Sequence, residues 1–190
     1  MRKFLASLLE VLEIAVIAVA AVFIVRTFFV QPFLVSGTSM VPTFSNGDYV
    51  LTDELTYHFR APERGEVVVF HEKSDYSTYL IKRIIGLPGD RVIINNNVIT
   101  IYNQQHQFPN GGLVLNEPYL QKGMITSGGE YNDVTLNSST YMMLGDNRDV
   151  SYDSRSWGPL PASDIVGVVR FRLWPLNAIG IFGGEQYKSS

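Results

Sequence analysis

The apolar positions of this chain form one long run near the start and many short runs after it. The long run, Ile14 to Val25, holds twelve residues and no polar side chain. As a helix it covers roughly 18 Å, and it spans the ~30 Å apolar core of a bilayer only with help from its apolar flanks. Glu10, Glu13 and Arg26 then lie near the two interfaces, where charged groups reach water at modest cost. The pattern predicts a short N-terminus plus a single transmembrane anchor over residues 1–30.

Two other interpretations of this segment stay open. Ala18-Val19-Ala20 has the small-x-small form of a signal-peptide cleavage site, although Glu10 and Glu13 interrupt the apolar region that must precede it. A buried core helix would also fit the short polar-free run. With an anchor, Arg2 and Lys3 favour an inside N-terminus, and residues 31–190 then form a domain on the outer side.

Beyond residue 30 the apolar runs are short, rich in β-branched and aromatic residues, and separated by turn signals such as Asn46-Gly47-Asp48 and Pro88-Gly89-Asp90. This pattern is typical of a mostly β domain with antiparallel strands. Residues 95–140 contain more Asn, Gly and Ser, which predicts a hairpin-like insertion, and residues 183–190 are expected to be a frayed tail. The predicted strands are Tyr49 to Leu51, Val67 to Phe70, Tyr79 to Ile85, Val92 to Ile94, Val98 to Tyr102, Tyr141 to Leu144 and Val166 to Leu173.

Composition narrows the possible functions. Hydrophobic residues make up 46% of the chain and charged residues 17%, which fits a membrane attachment, while a net charge of −3 argues against nucleic acid as the main partner. The absence of cysteine excludes disulfides, zinc–thiolate sites and a cysteine nucleophile. His58, His71 and His106 are scattered, so we interpret them as surface residues.

Val35 to Thr43 (VSGTSMVPT) is the first stretch with candidate chemistry. Pro32 and Pro42 flank a short apolar run that reads as a strand leading into a turn, and Gly37 permits a positive φ before Ser39. A hydroxyl on such a turn, beside free backbone N–H groups, can act as a nucleophile next to an anion-stabilising pocket. An ordinary surface loop has the same composition.

Lys82 is the second candidate. In the strand Tyr79 to Ile85, period two puts Lys82 on one face between Leu80 and Ile84. Burial there without a carboxylate lowers the pKa of the lysine and provides a base near pH 7, and a Ser–Lys pair needs no histidine. Alternatively, the lysine stem packs while its ammonium reaches water or an aspartate.

The third stretch, Gly145 to Gly158, is the densest polar run in the chain and directly follows the strand Tyr141 to Leu144. We expect a solvated loop rather than a core element. A calcium loop built from Asp146, Asp149 and Asp153 is an alternative, but the spacing matches no EF-hand and two arginines oppose a cation. The loop could also supply a hydroxyl to orient Lys82, and ion pairs to fix its own shape.

Taken in order, these three stretches resemble the bacterial type I signal peptidases, which are membrane-anchored serine proteases with a Ser–Lys dyad. The matching segments are Ser39 to Thr43 (SMVPT), Lys82 to Asp90 (KRIIGLPGD) and Gly145 to Asp149 (GDNRD), the last continued by Ser151, Asp153, Ser154, Arg155, Trp157 and Gly158. The resemblance implies an antiparallel β-sheet or barrel ectodomain behind one transmembrane helix.

The resemblance also implies residue roles. Ser39 would be the nucleophile and Lys82 the general base, without metal or cofactor. Ser151 would hydrogen-bond to the Lys82 amine, Asp153 and Arg155 would hold the loop, and Asp146 would pair with Arg83. Some family members use a serine hydroxyl two residues before the nucleophile, where this chain has Gly37. Backbone N–H groups, with Ser39 and Gly37 as the candidates, would then stabilise the oxyanion, and Ser36 or Thr38 stay open as further donors. The substrate would contact Phe33, Leu34, Val35, Met40, Tyr79, Leu80 and Ile81.

The partners implied are secretory precursors with small residues one and three positions before the scissile bond, and the lipid bilayer. The protein would sit in the bacterial plasma membrane near the protein-export translocon, with its catalytic domain outside. Phe171, Trp174 and Trp157 could seat that domain against the bilayer. Two alternatives stay open: a self-cleaving Ser–Lys protease of the repressor type, which would need a DNA-binding module, and a catalytically silent β domain that binds exported peptides.

Overall fold

The computed structural model describes residues 10–20, 30–103, 108, 111–185 and 187. Helix α1 covers residues 10–20, and its apolar side chains are exposed. Among the described helices, none combines the length and the apolar character needed to cross a bilayer. Most of the predicted anchor, over residues 1–30, lies outside the described residues.

The larger sheet has eight antiparallel strands and two short helices near its strand ends. Its strand order is β1-β2-β11-β3-β4-β9-β10, with β12 paired to β11. The strands are β1 (Val30–Leu34), β2 (Tyr49–Asp53), β3 (Val67–His71), β4 (Tyr79–Gly86), β9 (Thr140–Leu144), β10 (Leu160–Pro161), β11 (Ile165–Trp174) and β12 (Gly180–Ile181); the helices are α2 (Thr56–Phe59) and α3 (Ser154–Trp157).

The smaller sheet has the order β7-β6-β5-β8 and lies in the stretch predicted as an insertion. Its strands are β5 (Asp90–Asn95), β6 (Val98–Asn103), β7 (Leu113–Val114) and β8 (Asp133–Thr135). Asn96 and Asn97 form the β5–β6 turn with φ values of 48° and 65°, which asparagine tolerates and which favour a tight hairpin. All seven predicted strands are present in the two sheets, and the predicted antiparallel, mostly β fold is confirmed.

Alternation along the central strands creates three cores. Val67 and Val69 of β3 face a cluster with Val35 and Phe44, whereas Val68 and Phe70 face a second cluster. A third cluster fills the space between the smaller sheet and the β4–β9 pair. Strand β4 is therefore buried over most of its length, and any polar side chain in its second half lies away from water.

The prediction of a frayed tail from residue 183 is wrong for the described residues there. The Glu185 N–H donates to the Gly65 carbonyl oxygen at 3.3 Å, and the Tyr187 hydroxyl lies 2.8 Å from that of Tyr119. Gly65 has no room for a Cβ because the Glu185 backbone lies against it. This contact joins sequence-distant backbone, so composition could not reveal it.

Candidate active site

Ser39 and Lys82 lie next to each other beside the larger sheet. Ser39 lies in the turn after β1, and Lys82 lies on β4, 4% exposed. The Lys82 Nζ donates to the Ser39 Oγ at 2.8 Å and to the Ile81 carbonyl oxygen at 3.0 Å. Among the described residues, no carboxylate forms an ion pair with Lys82. A nucleophile candidate and a base candidate are thus within hydrogen-bonding distance.

The surroundings of Lys82 change its acidity. Burial lowers the pKa of the Lys82 ammonium from 10.5 to about 8, and the negative charges of Asp153 and Asp146 oppose this shift without cancelling it. With a pKa near 8, roughly a tenth of the amine is neutral at pH 7. A neutral amine beside a hydroxyl can take the proton of that hydroxyl.

The turn that carries Ser39 is held from both sides. The side chains of Met40 and Phe44 are buried in the core, and the Phe44 N–H donates to the Met40 carbonyl oxygen at 2.9 Å. From the opposite side, the Asn147 N–H donates to the Ser39 carbonyl oxygen at 2.9 Å, and its Nδ2 to the Thr38 carbonyl oxygen at 3.2 Å. These contacts fix the nucleophile candidate relative to the Gly145–Gly158 stretch.

The two backbone N–H groups predicted for the oxyanion hole differ. Gly37 adopts a φ of +94°, but its N–H already donates to Asn46 Oδ1 at 2.9 Å, so the prediction that it is a free donor is wrong. The Ser39 N–H makes no hydrogen bond to another described residue. Only the Ser39 donor of the predicted pair is therefore available in this conformation.

The predicted ion pairs of the Gly145–Gly158 stretch are formed. Arg83 donates to both carboxylate oxygens of Asp146, at 2.8 and 2.7 Å, and Thr43 Oγ1 donates to Asp146 Oδ2 at 2.5 Å. Arg155 donates to Asp153 Oδ1 at 2.8 Å, and Asp153 Oδ2 accepts from the Gly145 N–H at 3.0 Å. The arrangement clamps the loop to β4 and to the Ser39 turn.

The expectation that this stretch is a solvated loop is wrong for four of its five charged residues, since only Asp149 is exposed. Asp146 and Asp153 are 0% exposed, and Arg148 and Arg155 are also buried. Because Asp146 and Asp153 are committed to arginines, they do not form the calcium loop considered as an alternative. The sequence pattern failed because charged residues can be buried when every charge has a partner.

The hydrogen bond predicted between Ser151 and Lys82 is absent. The Ser151 Oγ is buried and has no hydrogen-bond partner among the described residues. The Ser151 side chain packs directly against Gly145. There is no room for a Cβ on Gly145, because it would collide with the Ser151 Oγ and lie 2.5 Å from the Ser39 carbonyl oxygen. Ser151 therefore packs behind Gly145, and its predicted role in orienting Lys82 remains a prediction.

A cleft of about 290 Å³ opens beside Ser39 and Lys82. It contains six of the seven residues predicted to contact substrate; they are Phe33, Leu34, Val35, Tyr79, Leu80 and Ile81. Met40 does not line it, because its side chain is 1% exposed and packs in the core with Phe44 and Val50. The position of Met40 next to Ser39 in the sequence did not predict a place in the cleft, because the turn directs its side chain into the core.

Several residues at the site were missed by the sequence analysis. Tyr119 lies under the Arg83 guanidinium, with 3.9 Å from Arg83 Cζ to the ring centroid, and Glu117 pairs with Arg148. Both come from the long loop between β7 and β8, where no local pattern marks them. Thr43 and Asn147 lie within the motifs quoted in the sequence analysis. Their polar side chains, close in sequence to Ser39 and Asp146, were the signal that could have identified them.

Comparisons with known proteins show which family the chain resembles. The family model described as "Signal peptidase, peptidase S26" matches residues 8–174. The chain belongs to this family. It is 35% identical over 188 residues to the signal peptidase IB of Staphylococcus aureus, covering 90% of this chain and 92% of the relative. It is 32% identical over 168 residues to the signal peptidase I of Leptolyngbya laminosa, covering 84% and 76% of the two chains.

A solved signal peptidase I from Enterococcus faecalis V583 overlaps the chain with a TM-score of 0.46 and 26% identity, covering 57% of this chain and 97% of the other. Membership of the S26 family identifies the chain as a serine endopeptidase that processes signal peptides. The interpretation as a catalytically silent binding domain is therefore not favoured.

Proposed function

We propose that Ser39 is the nucleophile and Lys82 the general base of this signal peptidase I. The observation that carries the proposal is the 2.8 Å hydrogen bond between Lys82 Nζ and Ser39 Oγ, made by a buried lysine that has no ion-pair partner among the residues the structure describes. Such a lysine is neutral in a usable fraction near pH 8, and a neutral amine accepts a proton whereas an ammonium cannot.

The reaction proceeds in two steps. The Lys82 amine takes the hydroxyl proton as Ser39 Oγ attacks the scissile carbonyl carbon, and the Ser39 N–H stabilises the oxyanion that forms. The Lys82 ammonium then protonates the departing amine of the mature protein, which leaves an acyl-enzyme on Ser39. Water, activated by the same amine, hydrolyses the ester and restores both groups. None of these steps uses a metal or a cofactor.

Two strand edges are suited to hold the substrate. Strand β1 lies at the end of the larger sheet, and β4 pairs with β9 only at Arg83, Ile84 and Gly86. Within the described part of the chain, residues 79–82 of β4 therefore have no strand partner on that side. A precursor segment can add there as an extended strand, with main-chain hydrogen bonds giving affinity and side-chain pockets giving specificity. The cleft beside Ile81 and Val35 would select small side chains one and three residues before the scissile bond.

The bilayer is the second proposed partner. Leu34, Tyr49 and Trp174 lie side by side across β1, β2 and β11, and all three are exposed. Leu176, Ile179 and Ile181 extend this apolar surface at 60–80% exposure. Phe171 also fits this surface, but Trp157 does not, because its ring packs against Phe70.

The apolar side chains exposed on α1 are consistent with a helix that continues into lipid. The protein would then be a single-pass protein of the bacterial plasma membrane, with the N-terminus inside and the catalytic domain outside, close to the translocon that delivers precursors. The active site would lie near the membrane surface, since β1 begins at residue 30 and Ser39 follows nine residues later.

Incubation of the full chain in detergent with a purified secretory precursor tests the proposal, with mass spectrometry of both new ends. We expect one cut after a small residue, and no cut with Ser39→Ala. Lys82→Arg should be almost as inactive, because a guanidinium cannot act as a base. Normal cleavage by Ser39→Ala would exclude Ser39 as the nucleophile, and normal cleavage by Lys82→Arg would make Lys82 structural.

A further inference from the structure

A second cavity lies beside the catalytic cleft. Its volume is about 110 Å³, and its apolar walls come from Phe70, Leu80, Trp157 and Leu160. Leu80 alone lines both this cavity and the cleft that contains Ser39 and Lys82. The reaction described above makes no use of this cavity.

The second cavity lies on the Leu80 face of β4, whereas the catalytic cleft is lined from both faces, by Ile81 on one and by Leu80 and Lys82 on the other. Ile81 packs against the cluster that contains Val35, together with Phe33, whereas Leu80 packs against the cluster that contains Phe70. The β3–β4 register pairs Phe70 with Leu80, so these two side chains stand next to each other on the second face. Residues adjacent in a strand point to opposite faces, which places the cavity one residue along β4 from the wall made by Ile81.

A substrate strand beside β4 must alternate in the same way. If the side chains one and three residues before the scissile bond enter the cleft, the side chain between them points to the other face. That face is the one formed by Leu80, where the second cavity opens. The unpaired part of β4, the four residues 79–82, is long enough to pair with these three substrate residues.

The apolar walls of the cavity are accompanied by the polar residues Glu72, Lys73 and Ser74. The Lys73 ammonium lies 5.0 Å from the centroid of the Trp157 ring and donates to the carbonyl oxygens of Trp157 and Pro159 at 3.3 and 2.5 Å, which fixes one wall. A cavity of about 110 Å³ is somewhat smaller than the ~150 Å³ apolar cavity that accommodates benzene. A branched aliphatic side chain therefore suits the space.

We propose that this cavity binds the side chain of the second residue before the scissile bond, and that it favours leucine or a similar aliphatic group over alanine or a charged residue. This specificity rests on the proposed function, because it takes the substrate strand and its direction from the roles of Ser39 and Lys82. The signal peptidase would then select three consecutive residues, two small and one aliphatic.

The test uses precursors that differ only at the second residue before the cut, which is Ala, Leu or Asp. With the full chain, we expect kcat/KM to be roughly tenfold higher for Leu than for Ala, since a few buried methylene groups give discrimination of about this size. Asp should be cut more slowly than Leu. Equal values for Leu, Ala and Asp would overturn the inference while leaving the proposed function standing, whereas loss of all cleavage would overturn both.

A pair of variants locates the preference. Ser74 is exposed and lines the cavity, so Ser74→Trp can fill it from the rim. Ser77 is exposed in the same β3–β4 loop but does not line the cavity, which makes Ser77→Trp the matched control. We expect the Leu-to-Ala ratio of kcat/KM to fall to about one in Ser74→Trp and to stay near ten in the control. An unchanged ratio in Ser74→Trp, or a changed preference for the first residue after the cut instead, would contradict the assignment.

Discussion

Lys82 and Arg83 are consecutive on β4, both carry a cationic group, and both are almost fully buried, yet their surroundings differ. Asp146 binds the Arg83 guanidinium through two hydrogen bonds, and Arg83 also donates to the Gly65 carbonyl oxygen at 2.8 Å. Lys82 donates to a hydroxyl and to a carbonyl oxygen, and within the described part of the chain no carboxylate contacts it. Burial lowers the pKa of Lys82 to about 8. Burial also acts to lower the pKa of Arg83, but Asp146 outweighs it and raises the net value.

Burial alone therefore does not decide what a cation does. On β4, the buried Asp146 carboxylate neutralises the charge of Arg83, whereas Lys82 has no carboxylate partner among the described residues. The Arg83 position stabilises the junction between β4, the Ser39 turn and the Gly145–Gly158 stretch. At Lys82, burial disfavours the charged ammonium and so lowers its pKa, which makes the neutral amine available as a base.

The largest expected difference between the two positions is in activity. Lys82→Met should reduce precursor cleavage by about 10⁴-fold or more, because the proposed general base is removed while the apolar surroundings accept the new side chain. Cleavage rates of the purified full chain, with Ser39→Ala as the reference for complete loss, measure this. Residual activity well above that of Ser39→Ala would show that another group takes the proton.

Lys82→Met should also leave the fold intact or strengthen it. The folded pKa lies near 8 and the ordinary value at 10.5, so the unfolded chain binds the proton more tightly and the wild type gains stability as pH rises between these values. Replacing the lysine should therefore stabilise the protein by on the order of 1–3 kcal/mol at pH 7, a gain that disappears above pH 10.5. Denaturant unfolding at pH 7 and at the highest pH the fold tolerates tests this; a loss of stability at pH 7 would contradict it.

The same substitution at the neighbouring residue should act in the opposite direction. Arg83→Met leaves the Asp146 carboxylate buried with the Thr43 hydroxyl as its one remaining side-chain donor among the described residues, and we expect a loss of about 3–5 kcal/mol in unfolding free energy. Arg91→Met is the control, since the Arg91–Asp133 pair is about half exposed and such solvent-screened pairs contribute little to stability. Equal losses of unfolding free energy in Arg83→Met and Arg91→Met would contradict the distinction between the buried and the exposed ion pair.

Gly145 is the point where the charged network touches the nucleophile. A Cβ there would lie 2.5 Å from the Ser39 carbonyl oxygen and would collide with the Ser151 Oγ. Gly145→Ala should therefore displace Ser39 and lower kcat by roughly 100-fold, since misplacement by about 1 Å has effects of this size. Gly183→Ala is the control, because a Cβ there meets open space and should change kcat little. Gly123→Ala is less suitable, because a φ of +85° is strained for alanine. Cleavage kinetics that are equal for Gly145→Ala and Gly183→Ala would refute this contact.

The smallest predicted effect is the pH dependence of the wild type. Because only neutral Lys82 can act as the base, kcat/KM should rise about tenfold per pH unit below pH 8 and reach a plateau above it. A profile measured between pH 6 and 10 tests this dependence. A rise centred near 10.5 would mean that burial does not lower the pKa of the catalytic amine.

Local patterns were sufficient for the seven strands predicted above but did not reveal the short strands β7, β8, β10 and β12, and they marked Ser39 and Lys82 only as candidates. The β-branched runs of β3, β4 and β9 predicted their own positions, and the order of three polar motifs identified Ser39 and Lys82. The network around Arg83 could be predicted only in part, through the resemblance that paired it with Asp146. Tyr119 and Glu117 reach the site from a loop whose sequence separation from Arg83 exceeds 30 residues, so no periodicity could assign them.

Two errors have the same physical origin. The charged residues of the Gly145–Gly158 stretch were expected in water, and Met40 was expected in the cleft, because their types or positions were considered singly. Asp153 is buried because Arg155 and the Gly145 N–H satisfy its oxygens, and Met40 is buried because the turn of Ser39 is anchored in the core. Tertiary partners decide burial in both cases.

The direct test of the central claim is titration of the Lys82 amine itself. NMR of the full chain carrying ¹³C-labelled lysine can follow the Cε shift of Lys82 with pH, assigned by comparison with Lys82→Met. We expect a midpoint near pH 8, with the other lysines that keep an ordinary pKa titrating near 10.5. A Lys82 midpoint at or above 10.5 would contradict the claim that a buried, unpaired lysine is the base of this peptidase.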